Sequence, residues 1–187
     1  MSPTKGRLFV VSGPSGAGKG TVVREVLRKR PDVVLSISAT TRPARRGERN
    51  GIDYHFVTRP EFLGMRDRGE FLESALVYGH LYGTPRAPVE AALASGRDVI
   101  CELDIQGAQS CKRAKPDAIL VFIEPPSLEA LSRRLRGRGT EDPDDMAERI
   151  NAAYDEIKKK AIYDHIVIND EVGRAADELV RIIVEST

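Results

Sequence analysis

A glycine-rich segment early in the chain has the residue types and spacing of a phosphate-binding loop. Glycines stand at positions 13, 16 and 18, Lys19 follows them, and the apolar run from Leu8 to Val11 precedes them. Glycines let the backbone turn its N–H groups inward, a helix N-terminus adds positive potential, and the lysine ammonium reaches the outer phosphates. The segment predicts a nucleoside triphosphate site made of Gly13, Pro14, Ser15, Gly16, Ala17, Gly18, Lys19, Gly20 and Thr21.

One position of this loop departs from the common pattern. Serine or threonine usually follows the lysine and binds magnesium, whereas this chain has Gly20 there and its hydroxyl one residue later, at Thr21. We therefore expect Mg²⁺ to be held mainly by phosphates and water.

A cluster of arginines offers a second place for a phosphate. Arg42 and Arg45 supply planar, charged donors and Tyr54 supplies a phenol O–H, all suited to a terminal phosphate group. A second phosphate site close to the first would imply transfer between them. A solvated basic loop accounts for the same residues equally well, so the cluster alone leaves both interpretations open.

Glu73 and Thr84 are candidates for recognising a base. Guanine presents N1–H and its 2-amino group as adjacent donors, and one fixed carboxylate can accept both. An acid on a strand is ordinarily just solvated, and a threonine before Pro85 could simply cap the following helix, so these alternatives stay open as well.

Two further carboxylates, Glu102 and Asp104, follow the apolar run that begins at Val99. Side chains alternate along a strand, so both carboxylates leave on one face at its C-terminal end, where doubly wound sheets bind ligands. One or both could contact magnesium, its water or the acceptor, while Asp104 could instead cap the helix that follows.

The segment 136–143 combines glycines with charge between two helices and is predicted to be a mobile lid. Arg138 within it, and Arg149 on the next helix, would bring positive charge to the transferred phosphoryl group on closure. Arg133, Arg134 and Arg136 could equally form a solvated helix face.

The elements that must position these groups follow from the pattern of apolar runs. Short apolar runs alternate with helix-length segments, which predicts a parallel sheet covered by helices, a doubly wound α/β fold. The predicted strands are 8–11, 33–37, 99–103, 119–123 and 166–168; the predicted helices are 21–30, 86–94, 105–113, 128–135, 144–158 and 174–183. Residues 38–84 break the alternation and are predicted to form an inserted lobe, with Thr58 and Glu61 spaced as a capping box.

Composition narrows the class of protein. The 187 residues fit a single domain, and 29 Lys plus Arg nearly balance 28 Asp plus Glu, so no global charge favours nucleic acid or a membrane as partner. The N-terminal segment leads into the first strand without a long apolar run, which predicts a cytoplasmic protein. Cys101 and Cys111 lack metal-ligand spacing and are expected to be reduced and structural.

Taken together, these motifs resemble the guanylate kinase family, whose members phosphorylate GMP with ATP. The resemblance spans nearly the whole chain and runs through GPSGAGKG at 13–20, SATTRPARRGERNGIDYHFV at 38–57, GEFLE at 69–73, YGHLYGTP at 78–85, ELDIQG at 102–107, FIEPPS at 122–127, RLRGRGTED at 134–142 and VIND at 167–170. It implies a P-loop fold with a core (1–37, 85–135 and 159–187), a GMP-binding lobe (38–84) and a lid (136–158). The activity that it implies is phosphorylation of GMP and dGMP by ATP with Mg²⁺. This reaction serves purine nucleotide metabolism and GMP recycling.

The resemblance also assigns roles to residues. It implies that Ser38, Glu73, Thr84 and Asp104 hold the guanine, and that Arg42, Arg45, Tyr54 and Tyr82 hold the GMP phosphate. It implies that Lys19, Arg42, Arg138 and Arg149 serve catalysis, with Glu102 or Asp104 near the metal. Gly20, Ala39 and Glu102 depart from the usual residues of the family.

Two alternatives remain at this stage. A non-enzymatic guanylate-kinase-like module of scaffold proteins would use the same pocket for phosphorylated partners, but the intact loop and the arginine-bearing lid favour an enzyme. A related kinase could act on another phosphorylated ribose compound, and Glu73 and Thr84 speak against it.

Overall fold

The structure is a computed structural model that describes residues 5–77, 79–136 and 143–186, with the backbone alone at residues 135 and 143–149. Strands and helices alternate over most of this length. In chain order the elements are β1 (Leu8–Ser12), α1 (Lys19–Lys29), β2 (Val34–Leu35), β3 (Ala39–Thr40), β4 (His55–Phe56), α2 (Arg59–Asp67), β5 (Phe71–Val77), β6 (His80–Pro85), α3 (Arg86–Ala94), β7 (Val99–Glu102), α4 (Ile105–Ala114), β8 (Ile119–Glu124), α5 (Leu128–Arg136), α6 (Pro143–Lys158), a 3₁₀ turn (Lys159–Ile162), β9 (His165–Ile168) and α7 (Val172–Glu185).

A central sheet of five strands in the order β2–β7–β1–β8–β9 organises the molecule, and every pair in it is parallel. All five residues of β1 are buried, as expected of a parallel strand covered on both faces. The sheet therefore confirms the predicted doubly wound α/β fold.

Helices pack on both faces of this sheet and divide the core into two apolar clusters. On one face, α3 and α4 contribute Val89, Leu93, Ile105 and Cys111; on the other, α1 and α7 contribute Val22, Val26, Leu179 and Ile183. Each helix buries one apolar stripe against the sheet, which fixes the directions in which the strand ends point.

A second sheet lies within residues 39–85, which overlap the predicted lobe and extend one residue beyond it. Its strands run in the order β4–β3–β6–β5, and β5 pairs antiparallel to β6 with Glu73 opposite Thr84. Helix α2 begins with the predicted capping box, in which the Thr58 N–H donates to the Glu61 carboxylate at 2.7 Å and the Glu61 N–H donates to Thr58 Oγ1 at 3.4 Å. This small sheet has its own core, in which the Phe62 and Phe71 rings stack at 4.5 Å.

Strand β2 is shorter than the predicted run 33–37. It pairs with β7 at Val34 and Leu35, and after a last bond from the Ser36 N–H to the Ile100 carbonyl the chain leaves the edge of the central sheet. The Ser38 carbonyl then accepts from the His55 N–H, beside the second sheet. Ser38 consequently stands where the chain crosses from one sheet to the other.

The predicted lid is described only in part. Helix α6 spans Pro143–Lys158 and packs through Ala153 and Ile150 against Leu131 of α5. Arg138 lies outside the described residues, and Arg149 stands in α6 where only the backbone is described. No helix in the described ranges combines the length and apolar character needed to cross a membrane.

Candidate active site

A cleft of about 280 Å³ separates the carboxyl ends of the central strands from the second sheet. This is the edge at which open α/β sheets bind ligands. The sequence-predicted residues that line it are Gly13, Ser15, Lys19, Ser38, Arg45, Tyr54, Glu73, Tyr82, Glu102 and Asp104. The two halves of the predicted site thus open into one space.

The glycine loop between β1 and α1 has the backbone geometry that its sequence predicts. Gly13, Gly16 and Gly18 have φ angles of 144°, 86° and 88°, in the region that side chains disfavour. A Cβ at Gly13 would stand 2.2 Å from the Ile123 carbonyl oxygen, so a glycine is required where the loop leaves β1 beside β8. The Lys19 ammonium donates to the Gly13 carbonyl at 2.7 Å and to the Pro14 carbonyl at 3.2 Å, which holds the charge over the loop.

Two residues from distant elements support this loop from behind. Asn169, fully buried after β9, donates from Nδ2 to the Ala17 carbonyl at 2.7 Å, and Arg134 donates to the same carbonyl at 3.2 Å. The Arg134 guanidinium also donates to the Asn169 carbonyl at 2.8 Å. Arg134 therefore belongs to the site and not to a solvated helix face, unlike the exposed Arg133 and Arg136.

The arginine cluster is built around a carboxylate that the sequence did not single out. Both terminal nitrogens of Arg42 donate to Glu48, at 3.0 and 2.9 Å, and Arg42 Nε donates to the Tyr82 hydroxyl at 3.2 Å. The hydrogen bonds from Arg42 hold the pKa of Glu48 below its usual range. The central carbon of the Arg42 guanidinium lies over the Tyr54 ring, 5.4 Å from its centroid.

This pairing divides the predicted phosphate-binding residues into two groups. Arg45, Tyr54 and Tyr82 line the cleft. Arg42 is not among the lining residues, and its hydrogen bond to the Tyr82 hydroxyl holds that side chain in place. Direct contact of Arg42 with a phosphate requires that it share its donors with Glu48. The sequence could have indicated this pair, because Glu48 follows Arg42 by six residues. The two are brought together by a tight turn in which the Glu48 N–H donates to the Arg45 carbonyl.

Glu73 is a buried carboxylate at the opposite wall of the cleft. Its residue surface is 7% exposed, and Thr84, fully buried on the neighbouring strand, donates its hydroxyl to Glu73 Oε1 at 2.7 Å. Burial and the charge of Asp104 raise the pKa of Glu73 to about 7, although the Thr84 hydrogen bond opposes this rise. Thr84 is thus placed to orient Glu73 and does not itself line the cleft.

Asp104 combines the two roles that the sequence left open. Its carboxylate accepts from the Gly107 N–H at 2.8 Å and so caps α4, and the residue also lines the cleft. A Cβ at Gly107 would stand 2.9 Å from Asp104 Oδ1 and 3.1 Å from Glu73 Oε2. The absence of a side chain at Gly107 is what lets both carboxylates approach the helix start together.

Glu102 ends β7 directly beside the strand that leads into the glycine loop. A Cβ at Gly20 would lie 3.3 and 3.4 Å from the two oxygens of its carboxylate, so Glu102 fills the space beside the loop helix. The Glu102 residue is exposed, but the atoms that crowd its carboxylate raise its pKa by partial desolvation, and the nearby charges of Lys19 and Arg24 oppose the rise. Within the described residues, no three His, Cys, Asp or Glu side chains group as a ready-made metal site.

Glu156 of α6 also lines the cleft, and the sequence analysis did not predict it. Burial raises the pKa of Glu156, and the nearby charge of Lys19 opposes the rise. Helix α6 carries acids at several positions of the sequence, and no local pattern distinguishes Glu156 from the adjacent, exposed Asp155.

Comparison with known proteins identifies the family to which this geometry belongs. A family model described as guanylate kinase matches residues 5–186. A guanylate kinase of Clostridioides difficile is 45% identical over 98% of this chain and 89% of its own length, and one of Dechloromonas aromatica is 52% identical over 93% and 86%. The crystal structure of guanylate kinase from Anaplasma phagocytophilum superimposes with a TM-score of 0.84 at 34% identity, covering all of this chain and 88% of that one. With its phosphate loop, its second sheet and the cleft between them, the chain belongs to the guanylate kinase family.

Proposed function

We propose that this enzyme transfers the γ-phosphoryl group of ATP to the phosphate of GMP, giving ADP and GDP, within the cleft between its two sheets. The observation that carries the proposal is the shared lining of that cleft. Ser15 and Lys19 of the phosphate loop, Arg45 and Tyr54 of the arginine cluster, and the buried Glu73 all face one space. Donor phosphates, acceptor phosphate and acceptor base each have chemically matched groups there.

The acceptor phosphate is assigned to Arg45, Tyr54 and Tyr82, with Arg42 holding Tyr82 and sharing its charge. Arginine donors match a phosphate dianion, and the phenol O–H groups complete its hydrogen bonding. The guanine is assigned to Glu73 and Asp104, with Thr84 orienting Glu73 and Ser38 closing the site where the chain crosses between the sheets.

Catalysis in this proposal rests on position and charge. The acceptor phosphate oxygen is already an anionic nucleophile, so the reaction needs no general base from the protein. Lys19 neutralises charge that develops as the γ-phosphoryl group moves. Arg138 and Arg149 are proposed to add positive charge from the lid side.

Magnesium is the proposed metal, bound with ATP. Carboxylate oxygens are ligands that Mg²⁺ accepts, and the Glu102 carboxylate fills the space beside Gly20, where other phosphate loops place a hydroxyl. Glu102 would therefore hold the ion or its water, with Asp104 nearby. When bound, the ion would help to neutralise the charge that develops on the phosphates. The enzyme is proposed to act in the cytoplasm, in purine nucleotide metabolism and GMP recycling, and to accept dGMP as well.

A coupled assay of ADP formation tests this proposal directly. ATP is presented with GMP, dGMP, AMP, IMP, CMP and UMP in turn. We expect fast turnover with GMP and dGMP and slower turnover with the others. If none of the six nucleotides were phosphorylated, the kinase assignment would be contradicted. A preference for a base other than guanine would contradict the role of Glu73.

The close approach at Gly107 gives a second prediction. In Gly107→Ala the new methyl group lies too close to the Asp104 and Glu73 carboxylates, so both must shift by a few tenths of an ångström. Because small misplacements of positioning groups weaken binding steeply, we expect KM for GMP to rise about tenfold, with KM for ATP unchanged.

Gly173→Ala is the matched control for this substitution. Gly173 is also helical, and its new Cβ would meet Glu171 Oε1 only at an ordinary 3.6 Å. We expect unchanged kinetics in this variant and a native circular dichroism spectrum in both. An unchanged KM for GMP in Gly107→Ala would show that the two carboxylates do not contact the base.

A further inference from the structure

Asn169 is a buried amide that lies directly against the glycine loop without lining the cleft. It follows β9, and its Nδ2 donates to the Ala17 carbonyl at 2.7 Å. A Cβ at Gly18 would stand 2.4 Å from this nitrogen, so the glycine at the start of α1 makes room for the amide. Asn169 is therefore built into the back of the loop.

The orientation of this amide is forced, and it leaves one buried atom without a partner. A carbonyl oxygen only accepts hydrogen bonds, so the nitrogen of the Asn169 amide must face Ala17 and its oxygen must face away. Within the described residues, Asn169 Oδ1 has no hydrogen-bond partner. An unpaired buried acceptor costs folding free energy, and an apolar side chain in this place would avoid that cost. Stability alone therefore does not explain an asparagine here.

The hydrogen bond to Ala17 sets the direction of the N–H group that follows it. The peptide between Ala17 and Gly18 is trans and planar, so its C=O and its N–H point to opposite sides. Asn169 and Arg134 both hold the Ala17 carbonyl behind the loop, at 2.7 and 3.2 Å. The Gly18 N–H therefore points away from Asn169.

This N–H group is open to a ligand. The Gly18 carbonyl accepts from two N–H groups of α1, both at 3.1 Å, which fixes the peptide on its other side. In the part of the chain that the structure describes, the Gly18 N–H itself makes no hydrogen bond with another backbone group. Backbone N–H groups of this kind, at the start of a helix, bind phosphate oxygens.

We propose that Asn169 is a positioning residue for the donor phosphates, which aims the Gly18 N–H at them by holding the Ala17 carbonyl. This inference rests on the proposed assignment of the loop to ATP. Asn169 carries no charge and does not line the cleft, so it acts only through the loop backbone. Arg134 reinforces it, because its guanidinium donates to the Asn169 carbonyl at 2.8 Å as well as to Ala17.

Titration calorimetry with inorganic tripolyphosphate, and with the β,γ-imido analogue of ATP plus Mg²⁺, tests this role. We expect Asn169→Ala to bind both ligands about tenfold more weakly than the wild type, because the Gly18 N–H is no longer held in line. Its affinity for GMP should be unchanged. Wild-type affinity for both ligands would overturn the proposal, and so would an equal loss of GMP affinity, because that would mean general damage to the fold.

Asn50→Ala is the matched control for this substitution. It removes the same side chain, and with it one hydrogen bond to the backbone, since Asn50 Oδ1 accepts from the Phe56 N–H at 2.9 Å. Asn50 is exposed and lies in the second sheet's half of the molecule. Its loss should leave the affinities for tripolyphosphate and for the ATP analogue unchanged.

Arg134→Met decides the question if Asn169→Ala does not fold, because it removes the other donor to Ala17 and leaves Asn169 in place. We expect both ligands to bind about threefold more weakly. Arg133→Met is the control, since it removes the same charge from the adjacent, exposed position of α5. Equal affinities in the two arginine variants would mean that only charge is lost, and would overturn the proposal.

The amide resonance of Gly18 provides a readout that does not depend on affinity. In the absence of nucleotide, Asn169→Ala should shift its nitrogen resonance, because the hydrogen bond is lost at the carbonyl of the same peptide, while Asn50→Ala should not. An unshifted resonance would overturn the hold on this peptide. Failure of the ATP assignment is distinguishable, because the analogue would then bind to none of the proteins, the wild type included, although the resonance would still shift.

Discussion

Replacing Lys19 with alanine is expected to lower kcat for phosphoryl transfer by at least about a thousandfold while leaving the affinity for GMP within about twofold. The ammonium lies over the glycine loop, 2.7 Å from the Gly13 carbonyl, on the donor side of the cleft. A fixed charge that follows the transferred group acts more strongly on the transition state than on bound substrate, and losses of about 10³ or more are typical for such groups. Steady-state ADP formation gives the turnover, and calorimetry gives the affinity for GMP.

Lys29→Ala is the control for this substitution, because it removes the same residue type from the other end of α1. Lys29 pairs with Asp177 on α7 and lies far along the helix from the loop. Its loss should leave kcat unchanged. Wild-type turnover in Lys19→Ala would refute the assignment of this loop to ATP, and a large loss of GMP affinity would show that the ammonium serves the acceptor.

The glycine loop could be predicted from sequence because everything that defines it is local. Strand, glycines, lysine and helix start are contiguous, and their backbone angles follow from residue type. The same holds for the capping box of α2. The central sheet was predictable because apolar runs that are buried on both faces have a distinctive pattern.

The support behind the site was not predictable, because it depends on contacts between elements far apart in the chain. Arg134 and Asn169 both donate hydrogen bonds to the Ala17 carbonyl, although they lie 117 and 152 residues after it in the sequence. Neither residue has a local sequence pattern that indicates this role. Glu156 was missed for the same reason. Such contacts follow from how helices pack on the sheet, which single-sequence patterns do not determine.

The role of Glu73 could be predicted from the sequence only in part. Its residue type and spacing indicated a base contact, but its pKa depends on burial and on the nearby Asp104, which only the fold provides. The arginine cluster is similar. Its residues were predicted, whereas the tight pairing of Arg42 with Glu48 changes which of them face the cleft.

In Glu73→Gln the preference for GMP over AMP is expected to collapse, chiefly through weaker GMP binding. The carboxylate can accept from guanine N1–H and the 2-amino group, but it would face the N1 lone pair of AMP and lose both bonds. An unpaired buried acceptor costs about 1–3 kcal/mol, more if charged, so we expect the wild type to discriminate at least about 10²-fold in kcat/KM. The wild-type order should be GMP, then IMP, then AMP, because IMP keeps N1–H and lacks only the 2-amino group.

The pH dependence of this recognition has a defined sign. Glu73 must be ionised to accept both guanine donors, and its pKa of about 7 means that the protein loses this form as the pH falls. Below pH 7, kcat/KM for GMP should therefore drop by up to about tenfold per pH unit. Glu73→Gln should lack this dependence.

Glu73→Gln should raise the stability of the folded protein, although it weakens GMP recognition. The folded pKa of Glu73 lies above its ordinary value of 4.5, so the protonated form is favoured on folding, and the stability it gives is lost as the pH rises through 7. Glutamine carries no such penalty and can still accept from Thr84. Urea denaturation should show Glu73→Gln more stable than the wild type by up to about 3 kcal/mol at pH 8, with the difference vanishing near pH 4.

Glu70→Gln controls for both effects, since Glu70 is exposed, immediately before β5, and pairs with Arg68 at the surface. It should change neither base preference nor the pH dependence of stability. If Glu73→Gln retained its full preference for GMP, the guanine would have to be recognised elsewhere, with Asp104 and Ser38 as the next candidates. If its stability instead matched the wild type at pH 8, the buried carboxylate would have to be compensated by partners other than Thr84, and the pKa near 7 on which the pH prediction rests would be wrong.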